Sequence, residues 1–129
     1  MTDGWTPEQL DRIGRSDELE IASRRADGTL RRWTPIWVVA ADGQVYVRTW
    51  HRRTTGWFGD VIDTHQARVR VPGLEAGVSV EDVGESPADL RARVDQAYRD
   101  KYGRYGDGSV GPMVGDAAAA ATLRLTPVG

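Results

Sequence analysis

Along most of this chain apolar and polar residues alternate at every second position, and only a few stretches show the three-to-four spacing of a helix. The first of these is near the start. Thr6-Pro7-Glu8-Gln9 combines a hydroxyl cap, a proline at the first helical position and a glutamine that can bond back to the cap, and Trp5 can staple onto Leu10. A short helix over residues 7–14 is predicted. Residues 17–24 then alternate, with Leu19 and Ile21 opposite Glu18, Glu20 and Ala22, which reads as a strand. After the Asp27-Gly28 turn, residues 33–41 are apolar on both faces around Ile36-Trp37-Val38-Val39, the pattern of a central strand covered on both sides. Asp42-Gly43 follows, and since both central positions of a two-residue hairpin turn need positive φ, it predicts a hairpin into Gln44-Val45-Tyr46-Val47-Arg48-Thr49-Trp50. In that second strand Val45, Val47 and Thr49 share one face. The other face, Tyr46, Arg48 and Trp50, is not the composition of an ordinary core.

Thr54-Thr55-Gly56 opens a short helix in which Trp57, Phe58, Val61 and Ile62 recur at helical spacing up to His65. Two alternating stretches come next, Ala67, Val69 and Val71 against Arg68 and Arg70, then Val78, Val80 and Val83, joined through Pro72-Gly73. Ser86-Pro87-Ala88-Asp89 starts the longest helix, with Leu90, Val94, Ala97, Tyr98 and Tyr102 on one stripe and Gly103 as its stop. Residues 103–115 hold five glycines and read as a long loop. The last element, residues 121–126, alternates and ends at Pro127, although the alanines before it also suit a helix. Helix, three strands, short helix, two strands, longer helix and strand is the order of a mainly β (α+β) domain over residues 1–129. The six strands and their hairpin connections suit a small, mostly antiparallel barrel or sandwich.

Composition narrows the function classes. No 18-residue apolar run exists to span a bilayer, the chain has no cysteine, and residues 1–5 lack the basic start and apolar stretch of a secretory signal, so a cytoplasmic address is expected. A net charge of −2 argues against a nucleic-acid-binding surface. The basic residues are nonetheless lopsided: sixteen arginines and one lysine, Lys101. Codon usage in a GC-rich genome accounts for arginine over lysine; it does not account for position. Between Arg48 and Arg70 lie five arginines (48, 52, 53, 68 and 70) against Asp60 and Asp63, a local net of +3.

Within that segment Arg48, Arg52 and Arg53 run into the helix start at Thr54-Thr55-Gly56. Free amides, a helix dipole worth about 0.3–1 kcal/mol per neighbouring charge, hydroxyls and a glycine make this a candidate anion site. Trp37, Trp50 and Trp57 lie near it in sequence or across the hairpin, as walls for a planar ring with an anionic tail. The bland reading is solvated arginines on strand faces and Trp57 in a core, and for Arg68 and Arg70 it is the better one. Tyr98 and Tyr102, one helical turn apart, are candidate proton donors, against the simpler reading that they pack the helix onto the barrel. The two histidines, His51 and His65, have no metal-ligand spacing, and no nucleophile elbow or phosphate-binding glycine loop occurs, so no metal is expected.

Several stretches resemble the small domain-of-unknown-function family twenty-two fifty-five. They are Trp37-Val38-Val39 before the hairpin, Tyr46-Val47-Arg48-Thr49 after it, Trp57, Ala97-Tyr98-Arg99-x-Lys101-Tyr102-Gly103 and Ala121-Thr122-Leu123-Arg124-Leu125-x-Pro127. The family is similar in turn to split β-barrel proteins that bind flavin mononucleotide (FMN) or the deazaflavin coenzyme, including nitroreductases and quinone reductases. That resemblance implies a split barrel, a flavin-type cofactor, and a phosphate held by Arg48, Arg52, Arg53, Thr54 and Thr55 with Trp57 at the helix start. The deazaflavin reductases carry a proline-x-tryptophan-asparagine stretch where this chain reads Thr55-Gly56-Trp57-Phe58, which leaves the cofactor open between FMN, deazaflavin and none.

The leading expectation is therefore an oxidoreductase-like barrel binding a small ligand with an anionic group. Trp37, Trp50 or Trp57 would lie along the ring, Tyr98 or Tyr102 would supply a proton, and two copies would pair across an open barrel edge. Two alternatives come from other classes. One is a cofactor-free barrel acting as a binding protein, cyclase or isomerase in small-molecule metabolism, with Tyr98, Asp60 or His51 as acid or base. The other is an interaction module using exposed tryptophans.

Overall fold

The computed structural model describes residues 4–25, 27–48, 61, 64–84 and 88–128. Helix α1 (Pro7–Arg15) begins as the sequence requires: Thr6 Oγ1 accepts the Gln9 N–H at 3.1 Å while Gln9 Oε1 accepts the Thr6 N–H at 2.9 Å. Among the described residues seven strands follow: β1 (Leu19–Ala22), β2 (Thr34–Ile36), β3 (Val38–Ala41), β4 (Gln44–Arg48), β5 (Gln66–Val71), β6 (Leu74–Asp82) and β7 (Thr122–Pro127). They form one antiparallel sheet in the order β2-β1-β5-β6-β7-β4-β3.

The two edge strands of that sheet, β2 and β3, are consecutive in the chain and separated only by Trp37. Residues 34–41 thus act as one bent strand whose first half pairs with β1 and whose second half pairs with β4, and the sheet curls into a nearly closed barrel. The expected split-barrel class holds, with seven strands in place of six because the 33–41 run divides at this bend. Its expected position in the middle of the sheet does not hold. It is apolar on both sides because Ile36 and Val38 point into the barrel while Trp37 and Val39 lie under a helix. The hairpin is as read from Asp42-Gly43, with φ of 52° and 77° at the two turn residues and Val38 opposite Val47.

The barrel interior is built almost wholly of aliphatic side chains, among them Leu19, Ile21, Val45, Val47, Val69, Val78, Leu123 and Leu125, with Trp5 and Ile13 added from the N-terminal segment. The Trp5 indole N–H donates to the Leu125 carbonyl at 2.8 Å, which lets a large polar-tipped ring be buried there.

Helix α2 (Ala88–Tyr102) covers the outer face of β3 and β4 with Val94, Tyr98 and Tyr102. The glycine-rich stretch after it is not the expected loop. It forms a 3-10 turn (Gly103–Tyr105) and helices α3 (Asp107–Val114) and α4 (Asp116–Ala120), because Val110 and Met113 bury against α2 and this packing outweighs poor intrinsic helix propensity. Gly84, just past β6, passes so close to the end of α4 that a Cβ there would stand 1.9 Å from the Ala120 carbonyl oxygen. No helix among the described residues is long and apolar enough to cross a membrane.

Candidate functional site

Arg48 is the last residue of β4 and stands opposite Thr122 of β7, so both side chains leave the barrel on its outer face. That face is roofed by α2, α3 and α4, and Arg48 is only 2% exposed. Its guanidinium is committed almost completely. Nε donates to Thr122 Oγ1 at 2.8 Å, and Nη1 donates both to Asp95 Oδ1 at 2.6 Å and to the Met113 carbonyl at 2.8 Å. Thr122 Oγ1 passes its own proton to the Ala119 carbonyl at 2.7 Å. Asp95 also meets Arg91 Nε at 3.4 Å, and Arg91 reaches Asp116 at 2.9 Å. Nη2 of Arg48 is buried with no hydrogen-bond partner among the described residues. Leaving a buried donor unpaired costs about 1–3 kcal/mol, and more when it is charged.

Arg48, Arg91 and Thr122 line a cavity of about 340 Å³ between α2, α4 and the end of β7, whose remaining walls include Val83, Leu90, Val94 and Ala119. The site thus has apolar walls and a buried cation with one uncommitted amino group.

The two candidate proton donors have different surroundings. Tyr98 is fully buried, its ring 5.5 Å from the Arg48 guanidinium carbon, and its hydroxyl makes no hydrogen bond of ordinary geometry. Burial pushes its pKa well above the usual phenol range, with the Arg48 charge opposing. Tyr102 is as deeply buried but satisfied: its hydroxyl accepts the Val38 N–H at 2.9 Å and faces the Asp17 and Val38 carbonyls at 2.7 and 3.0 Å. Burial raises its pKa too, the Val38 N–H opposing.

Next to Tyr102, Lys101 Nζ donates to the Val38 carbonyl at 2.6 Å and to Ile13 at 3.3 Å at the end of α1. It is a half-buried tether and not a freely solvated charge. Burial lowers its pKa to about 8, with Asp17 acting the other way. Val38 lies at the β3 edge, so Tyr102 and Lys101 supply from α2 the hydrogen bonds that a further strand would have made there. Trp37, at the bend itself, stacks on Tyr102 with centroids 4.0 Å apart and planes 2° from parallel, and Tyr105 adds a third ring at 5.7 Å from Trp37.

The structure therefore brings Arg48 and Tyr98 together, and Trp37 and Tyr102 together, in two adjoining parts of the layer under α2. Trp50, Arg52, Arg53, Thr54, Thr55 and Trp57 lie outside the described residues, as do His51 and Asp60. Asp95, Arg91, Met113 and Thr122 were given no role at the site from the sequence. A signal for Asp95 existed: it lies three residues before Tyr98 on the packed side of an amphipathic helix, where a carboxylate needs a buried cation, and Arg48 was the arginine on a face otherwise made of aromatics.

Solved structures share this architecture. The heme storage protein HutZ of Vibrio cholerae matches at 11% identity with a TM-score of 0.60, covering 98% of this chain and 92% of that one. A FAD-binding protein of Mesorhizobium loti matches at 10% identity and a TM-score of 0.57, covering 97% and 91%. A protein titled F420 reductase matches at 15% identity and a TM-score of 0.52, covering 92% of each chain. At these identities the likeness is one of fold. No curated protein matches the sequence. A family model described as "Uncharacterized protein conserved in bacteria (DUF2255)" matches residues 9–125, nearly the whole barrel and its helical cover, and the chain belongs to that family.

Proposed function

We propose that this barrel binds a small planar cofactor of the flavin or deazaflavin type through its anionic end and serves as a reductase of a small organic substrate. The observation that supports this most is how Arg48 is anchored. In a barrel whose fold is shared, over more than nine-tenths of this chain, with proteins titled FAD-binding and F420 reductase, Arg48 of β4 is held by Asp95, Thr122 and Met113. The chain then runs directly into Arg52-Arg53-Thr54-Thr55, a cationic, hydroxyl-bearing segment suited to a phosphate. In this reading Arg52, Arg53, Thr54 and Thr55 hold the phosphate, and Trp50 or Trp57 lies along the ring. Arg48, fixed by Asp95, Thr122 and Met113, holds the root of that segment.

The cofactor would supply hydride chemistry, while the chain binds, orients and excludes water. Proton delivery would fall to Tyr98 rather than Tyr102, whose hydroxyl is engaged with Val38 and Asp17. Incubation with FMN, FAD, the deazaflavin coenzyme F420 or heme, followed by desalting, tests the reading. Retained flavin or deazaflavin absorbance and a raised Tm are expected, and both should be lost in the Arg52→Ala/Arg53→Ala double variant. Colourless protein with unchanged Tm in every case overturns it in favour of a cofactor-free barrel, and retention of heme alone moves the chain to a different ligand class.

A further inference from the structure

We propose that the cavity between α2, α4 and β7 is a binding site for a small organic monocarboxylate, one of whose oxygens accepts from Arg48 Nη2. This goes beyond the cofactor reading and stands or falls separately from it, since the cavity lies under the helical cover and all its walls named here belong to β4, α2, α4, β7 and the residue after β6.

Three observations converge. Arg48 lines the cavity, is only 2% exposed, and its Nη2 has no partner among the described residues although its other nitrogens bond in full. A group so placed binds an acceptor oxygen strongly, because the guanidinium is already oriented and already dehydrated. The charges around it favour a single negative charge. The cavity wall carries two cations, Arg48 and Arg91, against one carboxylate, Asp116, which meets Arg91 at 2.9 Å, and Asp95 stands behind the wall at 2.6 Å from Arg48 and 3.4 Å from Arg91. A monoanion balances the wall, whereas a doubly charged phosphate would set its second charge against Asp95 and Asp116.

The remaining surface sets the body of the ligand. Val83, Leu90, Val94 and Ala119 give apolar walls, and a cavity of about 340 Å³ holds a short aliphatic or monocyclic acid while being at the lower end of the range for cofactor-sized clefts. The expected ligand has one carboxylate at the Arg48 end and a hydrocarbon portion toward α2.

The test uses the intact chain titrated with butyrate and benzoate, with butanamide, benzamide and inorganic phosphate as comparison probes, read by Tm and by the side-chain nitrogen resonance of Arg48. Saturable binding of one carboxylate is expected, with the matched amide weaker by about tenfold or more and a shift of the Arg48 resonance on binding. Arg48→Lys keeps the charge on Asp95 but removes Nη2 and should weaken the acid by about tenfold. Leu90→Trp fills the cavity from α2 without touching the ion pair and should abolish binding. Should Arg48→Lys fail to fold, Leu90→Trp and the resonance shift decide. No binding by either acid, equal binding of acid and amide, tighter binding of phosphate, or unchanged affinity in Leu90→Trp each overturns the proposal.

Discussion

The two faces of the β3–β4 hairpin are stabilised by different physics. On the inner face Val38, Val45 and Val47 meet Leu123 and Leu125, side chains that differ only in shape, and each buried group contributes about 1.5–3 kcal/mol through area removed from water. On the outer face, one residue along, Val39, Tyr46 and Arg48 lie under α2 with Tyr98, Tyr102 and the Asp95 carboxylate. Specificity there depends on partners: a guanidinium needs its carboxylate, and an edge-strand amide needs its phenol. The inner face asks only that a residue be apolar and of the right size, whereas the outer face asks for particular atoms at particular distances. Substitutions separate the two regimes.

The largest effect is expected at Asp95. Asp95→Asn keeps the shape but leaves Arg48 buried without a counter-charge, and a loss of about 3–5 kcal/mol in denaturant unfolding is expected. A loss no greater than that of an interior Val47→Ala would show that the outer face is held by packing alone.

Tyr102→Phe comes next. It strands the Val38 N–H at the barrel seam, with an expected cost of about 1–3 kcal/mol and faster hydrogen exchange at Val38.

The pH dependence at Lys101 is the third. The folded chain gives up this proton at about pH 8, whereas the unfolded chain keeps it to about 10.5. Between those values the unfolded state binds the additional proton, so raising the pH stabilises the fold. Above pH 10 the gain reverses, since tyrosines of the unfolded chain ionise from a value of 10.0 while buried Tyr98 and Tyr102 stay neutral. Tm should therefore rise from pH 8 to 10 and fall beyond, and Lys101→Met should remove the rise.

The smallest effect, and of opposite sign, belongs to Tyr98→Phe. Deleting a buried hydroxyl that makes no ordinary hydrogen bond should leave stability unchanged or raise it by about 1 kcal/mol, while the proposed reductase activity should fall if that hydroxyl delivers the proton.

Local chemistry made much of this fold legible. The capping box at Thr6, the Asp42-Gly43 turn and the alternation of β1, β4, β5 and β6 each depend on neighbouring residues, and each formed where the sequence places it. The barrel closure was not legible, because alternation runs through Trp37 unbroken: Ile36 and Val38 still point inward, so nothing in the period marks the bend. The helices after residue 103 were hidden for a related reason. Their glycines and Pro112 speak against helix locally, and the deciding contacts of Val110 and Met113 are with α2. At the site the sequence located Arg48 but not what it touches, since Asp95 and Thr122 are 47 and 74 residues away.

The seam tether also makes the chain a chemical clock. Its one lysine in 129 residues is the one whose ammonium bridges the Val38 and Ile13 carbonyls, so an amine-acylating reagent has a single ε-amine to find, and finds it half-buried and hydrogen-bonded while α2 sits on the bend. The rate of acylation at Lys101, separated from that of the α-amine by peptide mass, rises as α2 lifts and so follows openings of the barrel at the place where its two edge strands meet.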